Sequence, residues 1–272
     1  MKKKILFVFI IIFMLFSIFK GPINGKNQTS ESEPAKTSLA EVDELMKHKT
    51  IENCEKAIKG YELLLKDEPN NDDILYKIAN AYITIIDIKT SALRVEKDEF
   101  KPILRELGKI ANDYAKKAYE LQPKKKDVVA ACLVSYGYYS ASFGIVKAIL
   151  KGAAGHYKDL CYQLIEIDKK HLGALGYRLL GKLYHVAPWP VGSSKKALKF
   201  FLKAAETDNS VLYTHYYLGL LYFKKKQYDL AEKEFKFVWE NEPNVYEKHY
   251  IGDYKKDARY YLRQIARKKQ SK

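Results

Sequence analysis

The stretch LGLLYFKKKQYDLAEKEFKFVWENEP, Leu218–Pro243, decides the fold. Gly219 is small enough to let a second helix approach closely, and Tyr222 follows three residues on, on the same face. Ala231 does the same for a second helix, with Phe235 four residues beyond it and Val238 after that. Pro243 ends the unit, because proline cannot continue a helix interior. Asn241-Glu242-Pro243-Asn244 then reads as a turn. The result is two amphipathic helices that face each other through small and aromatic side chains.

The pattern L-G-x2-Y-x8-A-x3-F-x2-V-x4-P resembles the tetratricopeptide repeat (TPR), a helical hairpin of about 34 residues that stacks into a solenoid. It recurs as Leu180-Gly181, Tyr184, Ala197, Phe201 and Ala204. Ile78-Ala79 and Tyr82 open another copy, which closes with Ala111, Ala115, Ala118 and Pro123 after an insertion of about twenty residues relative to the repeat length. Ala57, Tyr61, Leu64 and Pro69 form the second helix of a copy upstream, with a degenerate first helix at 38–47. A weaker copy carries Cys132, Leu133 and Tyr136, then Cys161 and Leu164. The expected organisation is all-α: a TPR-like solenoid over 38–245, divided as 38–71, 72–125, 126–171, 172–211 and 212–245. A capping helix and basic tail follow over 246–272. In that last helix Ala258, Tyr261, Leu262 and Ile265 form one apolar side, which a solenoid needs to cover its final stacking face.

Local details are also expected. Phe100-Lys101-Pro102 starts the second helix of the 72–125 pair. Tyr136–Leu150 reads as one long helix, turned by Gly152-Ala153-Ala154-Gly155. Ser193 or Ser194 caps the helix after the loop Ala187-Pro188-Trp189-Pro190, and Trp189 is expected to pack on a neighbour. His215 and Glu234 are placed where polar side chains face solvent or a groove.

The N-terminus is a separate matter. Lys2-Lys3-Lys4 precedes the apolar run Ile5–Phe19, which resembles a secretory signal and is short for a spanning helix of roughly 20 residues. Residues 1–25 are therefore expected to be a signal peptide or an uncleaved anchor that allows membrane contact, and either places the repeats outside the cytoplasm, in the periplasm or cell envelope. Residues 26–37, rich in Asn, Gln, Ser, Glu and Pro, read as a flexible tether.

The formal net charge of +15 is uneven. Nine Lys and Arg over 248–272 outweigh Asp253 and Asp257, and four lysines lie within the first twenty residues. The remaining body carries mixed charge and no basic stripe with base-stacking aromatics, so a nucleic-acid partner is not expected. The three cysteines form no C-x-x-C, and no histidine pair has ligand spacing. No metal, cofactor or catalytic set is expected, and the chain does not read as an enzyme.

First helices of TPR units line a concave groove. Off the packing face stand Tyr76, Asn80 and Tyr138, then Arg178, Lys182 and His185, then Tyr213, Tyr216 and Phe223. An aromatic floor with a basic edge suits an extended peptide with acidic groups, or an amphipathic helix. Chaperone-binding TPR domains hold carboxylates with a larger set, of which Asn80 matches one member and Lys182 a second.

One further resemblance rests on a combination. The export signal and the long middle hairpins are joined by Ile165-Glu166-Ile167-Asp168 leading into Leu172-Gly173-Ala174-Leu175. Leu180-Gly181 and Tyr184 follow, then the Pro-rich loop and Lys195-Lys196-Ala197. Over about residues 50 to 265 this looks like the periplasmic TPR protein, the T component, that accompanies some TRAP-type transporters. The resemblance implies a solute-binding subunit as partner, self-association as a homo-oligomer, and a hydrophobic ligand path through the bundle. The chain lacks the lipid-anchoring cysteine of that family, which leaves the mode of membrane attachment open.

Overall fold

The computed structural model describes residues 38–92 and 97–270; the signal and tether expected over 1–37 lie outside them. Twelve α-helices are found among the described residues, and no strand. They are α1 (Leu39–Lys47), α2 (Ile51–Asp67), α3 (Asp72–Thr90), α4 (Lys101–Leu121), α5 (Lys126–Ala141), α6 (Ile145–Leu150), α7 (Ala153–Asp168), α8 (His171–Val186), α9 (Ser194–Thr207), α10 (Leu212–Lys224), α11 (Tyr228–Glu240) and α12 (Gly252–Gln270). A short 3-10 turn, Asp98–Phe100, leads into α4. None is long and apolar enough to cross a membrane.

Helix starts follow side-chain chemistry. Ser38 and Glu41 cap α1 reciprocally: the Glu41 amide donates to Ser38 Oγ, and the Ser38 amide donates to the Glu41 carboxylate at 2.8 Å. Thr50, Asn71 and Ser193 accept from the first turns of α2, α3 and α9. Helices pack in sequence as pairs: α1 on α2, α3 on α4, α5 on α7, α8 on α9, and α10 on α11.

The repeat glycines explain how tightly the pairs close. A Cβ on Gly219 would stand 2.8 Å from the Phe235 ring, and one on Gly181 would stand 2.9 Å from the Phe201 ring. Each ring then stacks on the next element. Phe201 lies parallel to Tyr217 of α10 at 5.2 Å, and Phe235 lies parallel to Tyr261 of α12 at 4.9 Å. In this contact α12 takes the place that a sixth first helix would occupy.

Several local expectations are corrected. The long helix from Tyr136 breaks after Ala141. Ser142 turns its hydroxyl onto the Tyr139 carbonyl at 2.6 Å, and Gly144 adopts φ +87°. The short α6 results, bounded at its other end by Gly152 at φ +82°, while Gly155 lies inside α7. Trp189 does not pack; it is 88% exposed. His215 and Glu234 turn toward each other, Nδ1 to Oε2 2.5 Å, with His215 buried and stacked on Phe237.

Two features have no local signature. Leu172, Gly173 and Ala174 run left-handed, at φ 46°, 67° and 57°. Arg178 holds this turn, donating from Nε to the Gly173 carbonyl at 2.8 Å and from Nη2 to that of Leu172 at 2.6 Å. The second feature is the segment between α11 and α12, which returns across the molecule as a strap. Glu247, fully buried, accepts from the Leu212 and Tyr213 amides at 2.8 and 2.9 Å. It caps α10, whose own N-cap residue Val211 has no side-chain acceptor. The strap and the first turn of α12 then dock on the end of α3. Tyr254 donates to the Ala92 carbonyl at 2.6 Å, Ser91 bonds Asp253, and His249 Nε2 lies 3.4 Å from Asp87.

Candidate functional site

A cavity of about 460 Å³ lies where first helices and the strap meet. Its walls are α1, α3, α5 and the left-handed start of α8; Tyr246, His249 and Tyr250 of the strap cover it. Of the nine candidate residues, four converge here: Tyr76, Asn80, Tyr138 and Arg178. They do so because successive first helices turn equivalent faces inward, as the repeat geometry requires.

The other five are placed elsewhere. Lys182 lines a second, smaller cavity of about 90 Å³, and its ammonium engages the Tyr217 hydroxyl. His185 meets the Tyr217 ring edge-on at 5.3 Å. Tyr213 is fully buried, Tyr216 is buried with its hydroxyl on Asp257 at 3.1 Å, and Phe223 packs between Tyr228 and Tyr261. α12 covers these last three, so they hold the cap and present no groove. The concave surface is confined to the first four helix pairs.

The cavity is lined by five tyrosines: Tyr61, Tyr76, Tyr138, Tyr246 and Tyr250. Burial raises the pKa of Tyr61, Tyr76 and Tyr250, so their hydroxyls are neutral at physiological pH. Three carboxylates organise the polar part. Asp43 accepts from Tyr61 at 2.6 Å and from Lys77 at 2.5 Å. Asp87 takes the Tyr138 hydroxyl on one oxygen and faces His249 on the other. Asp127 lies 3.6 Å from His171 Nε2. Lys49 also reaches this space, where burial lowers its pKa and the Asp87 charge opposes that shift. His249 Nδ1 is buried without a hydrogen-bond partner among the described residues.

Lys49, Asp87 and His249 were missed from the sequence. Asp87 had a signal, being a lone carboxylate inside the apolar run Ile83–Ile88. His249 had none, because its partner lies 162 positions away. The chemistry on offer is hydrogen bonding and apolar contact. Burial pushes the Cys54 and Cys132 thiols up to about 11 and raises Cys161 further, which is the opposite of nucleophile activation.

No protein-family model and no curated protein sequence matches the chain. Among solved structures it is similar to TTC0263, a thermophilic TPR protein of Thermus thermophilus. The TM-score is 0.56 at 13% identity, covering 83% of this chain and 96% of that one. The fold is a TPR-like solenoid. MamA is also similar, with a TM-score of 0.47 at 22% identity over 75% of this chain and 94% of its own.

Proposed function

We propose that this TPR-like protein is a non-catalytic scaffold of the cell envelope that binds a protein or peptide partner in the strap-covered cavity. One observation carries the reading. Tyr76, Asn80, Tyr138 and Arg178, drawn from three first helices, line a single 460 Å³ space. Tyrosine offers large contact area at low entropic cost, and Asn80 supplies both a donor and an acceptor for an extended backbone. Export rests on Lys2-Lys3-Lys4 and the apolar run after it. Arg178 also holds the left-handed turn, so it is a poor place to probe binding.

The test places a photo-activated cross-linker at Asn80, inside the cavity, and at Lys116, exposed on α4. Adducts with envelope proteins from Asn80 alone are expected. The same adducts from both positions would place binding outside the cavity.

A second reading is the accessory T component of a TRAP-type transporter, contacting the solute-binding subunit and a hydrophobic solute. The 90 Å³ apolar cavity lined by Tyr138, Ile145, Ile149, Tyr157 and Leu183 favours it. An Asn80 adduct that proves to be a solute-binding subunit would select this reading.

A further inference from the structure

One edge of the solenoid has an unusual composition. Consecutive helices run antiparallel, so the loops within pairs emerge on one edge and the loops between pairs on the other. The within-pair edge carries α6, the loop from Ala187 to Ser193, and Lys224-Lys225-Lys226. Ile145, Ala148 and Ile149 of α6, all half-buried, line the small apolar cavity together with Leu183 and Val186 of α8, which lead directly into the Trp189 loop. Its exposed residues are Val146, at 57%, and Leu150, at 82%; Trp189, at 88%, stands on the next within-pair loop. These are among the most exposed large apolar side chains of the described residues.

The segments that carry them hold lysines and no carboxylate. No Asp or Glu occurs between Asp127 and Asp159, between Asp168 and Glu206, or between Asp208 and Asp229. The cations on this edge are Lys147, Lys151, Lys195, Lys196 and the three lysines at 224–226, all exposed or half-buried. The loop from α3 to α4 brings Asp98 and Glu99 to the same edge, where they pair with Lys101 at 2.6 Å and Lys97 at 3.3 Å, and Asp229 pairs with Lys269 at 2.5 Å.

We propose that this edge is a membrane-contact surface that rests on an anionic lipid bilayer, with Trp189, Val146 and Leu150 in the interfacial region and the lysines on the headgroups. A protein groove gathers its anchors into one concave, desolvated patch. Here the most exposed apolar side chains stand on a loop tip and a six-residue helix. Tryptophan prefers the headgroup level, and lysines near an anionic surface each add an attraction that salt screens. This surface is distinct from the N-terminal apolar run. It would lay the solenoid edge-on to the bilayer and keep the cavity accessible from the aqueous side.

The test uses the full chain carrying Trp239→Phe, which leaves Trp189 as the reporter. A Trp189→Phe chain gives the Trp239 background. Residues 1–37 are common to every arm, so any vesicle attachment they provide cancels. Quenching of Trp189 by brominated lipid is measured in phosphatidylglycerol vesicles and in phosphatidylcholine vesicles. Strong quenching is expected only in the first. It should fall in Val146→Ser/Leu150→Ser, and at about 1 M salt, where the screening length is about 3 Å. Replacing Lys224, Lys225 and Lys226 by Gln removes roughly five-fold per lysine, on the order of one hundred-fold in lipid affinity. Absent quenching, or quenching indifferent to lipid charge, overturns the proposal. So does a Trp189 emission shift with polyglutamate but not with vesicles, which would assign the edge to an acidic protein.

Discussion

Replacing Gly219 by alanine sets two opposing effects against each other. Alanine is the better helix former by about 1 kcal/mol, so a helix in open space would gain. At Gly219 the new methyl would meet three atoms of the Phe235 ring at 2.8–2.9 Å, well inside the ordinary carbon–carbon separation of about 3.5–4.0 Å. The ring has little room to yield. It is fully buried, stacked on Tyr261 at 4.9 Å, and meets the edge of Tyr216 at 6.1 Å. Overpacking of this kind costs about 1–3 kcal/mol, so after the propensity gain Gly219→Ala should be net destabilised by up to about 2 kcal/mol. Gly155→Ala is the control. It lies inside α7 with no atom within 4 Å of the new methyl, and should gain about 0.5–1 kcal/mol. Urea unfolding followed by far-UV circular dichroism compares the two. Adding Phe235→Leu to Gly219→Ala should recover part of the loss, giving a coupling of about 1 kcal/mol in the double-mutant cycle. If Gly219→Ala matches or exceeds Gly155→Ala in stability, the helices do not meet through this glycine and the packing argument fails.

Three other outcomes are expected. Glu247→Ala leaves the Leu212 and Tyr213 amides of α10 without their acceptor; the chain should lose about 2–4 kcal/mol, and the first turn of α10 should lose hydrogen-exchange protection. Burial lowers the pKa of His171 below its ordinary 6.5, so its stabilising contribution is present above that pH and declines as pH falls through it, when the unfolded chain takes up the proton first; the urea midpoint of the native sequence should therefore drop relative to His171→Gln between about pH 7 and pH 5.5, and parallel midpoints would contradict this. Cys54, Cys132 and Cys161 are buried with raised pKa values, so a thiol reagent should label none of them in the native protein at neutral pH and all three in denaturant.

What the sequence made legible was local. Gly181 and Gly219 stand on first helices and Phe201 and Phe235 on the second helices of the same pairs, so the small-on-aromatic contact follows from the repeat pattern that makes each pair a hairpin. The caps at Ser38 and Ser193 are equally local. The first-helix face was partly legible. Tyr76, Asn80, Tyr138 and Arg178 share a cavity, whereas Tyr213, Tyr216 and Phe223 lie under α12. Repeat position says which way a residue points, but not whether a later helix lies over it. Trp189 teaches the same lesson in reverse: its apolar character does not guarantee a neighbour to cover it. The turn at Leu172–Ala174 was illegible because its support, Arg178, acts through the side chain, and the local sequence reads as ordinary helix. The strap was illegible because Glu247 and His249 find partners 34 to 162 positions away.

The strap has a consequence for biosynthesis. Ribosomes deliver Asp87, Ser91 and Ala92 long before Glu247, His249 and Tyr254. Until those last residues emerge, the spiral is an unlatched ring, α10 lacks its borrowed cap, and the tyrosine-lined chamber stands open to whatever is nearby. The final helix is thus a clasp as well as a lid for the stacking face.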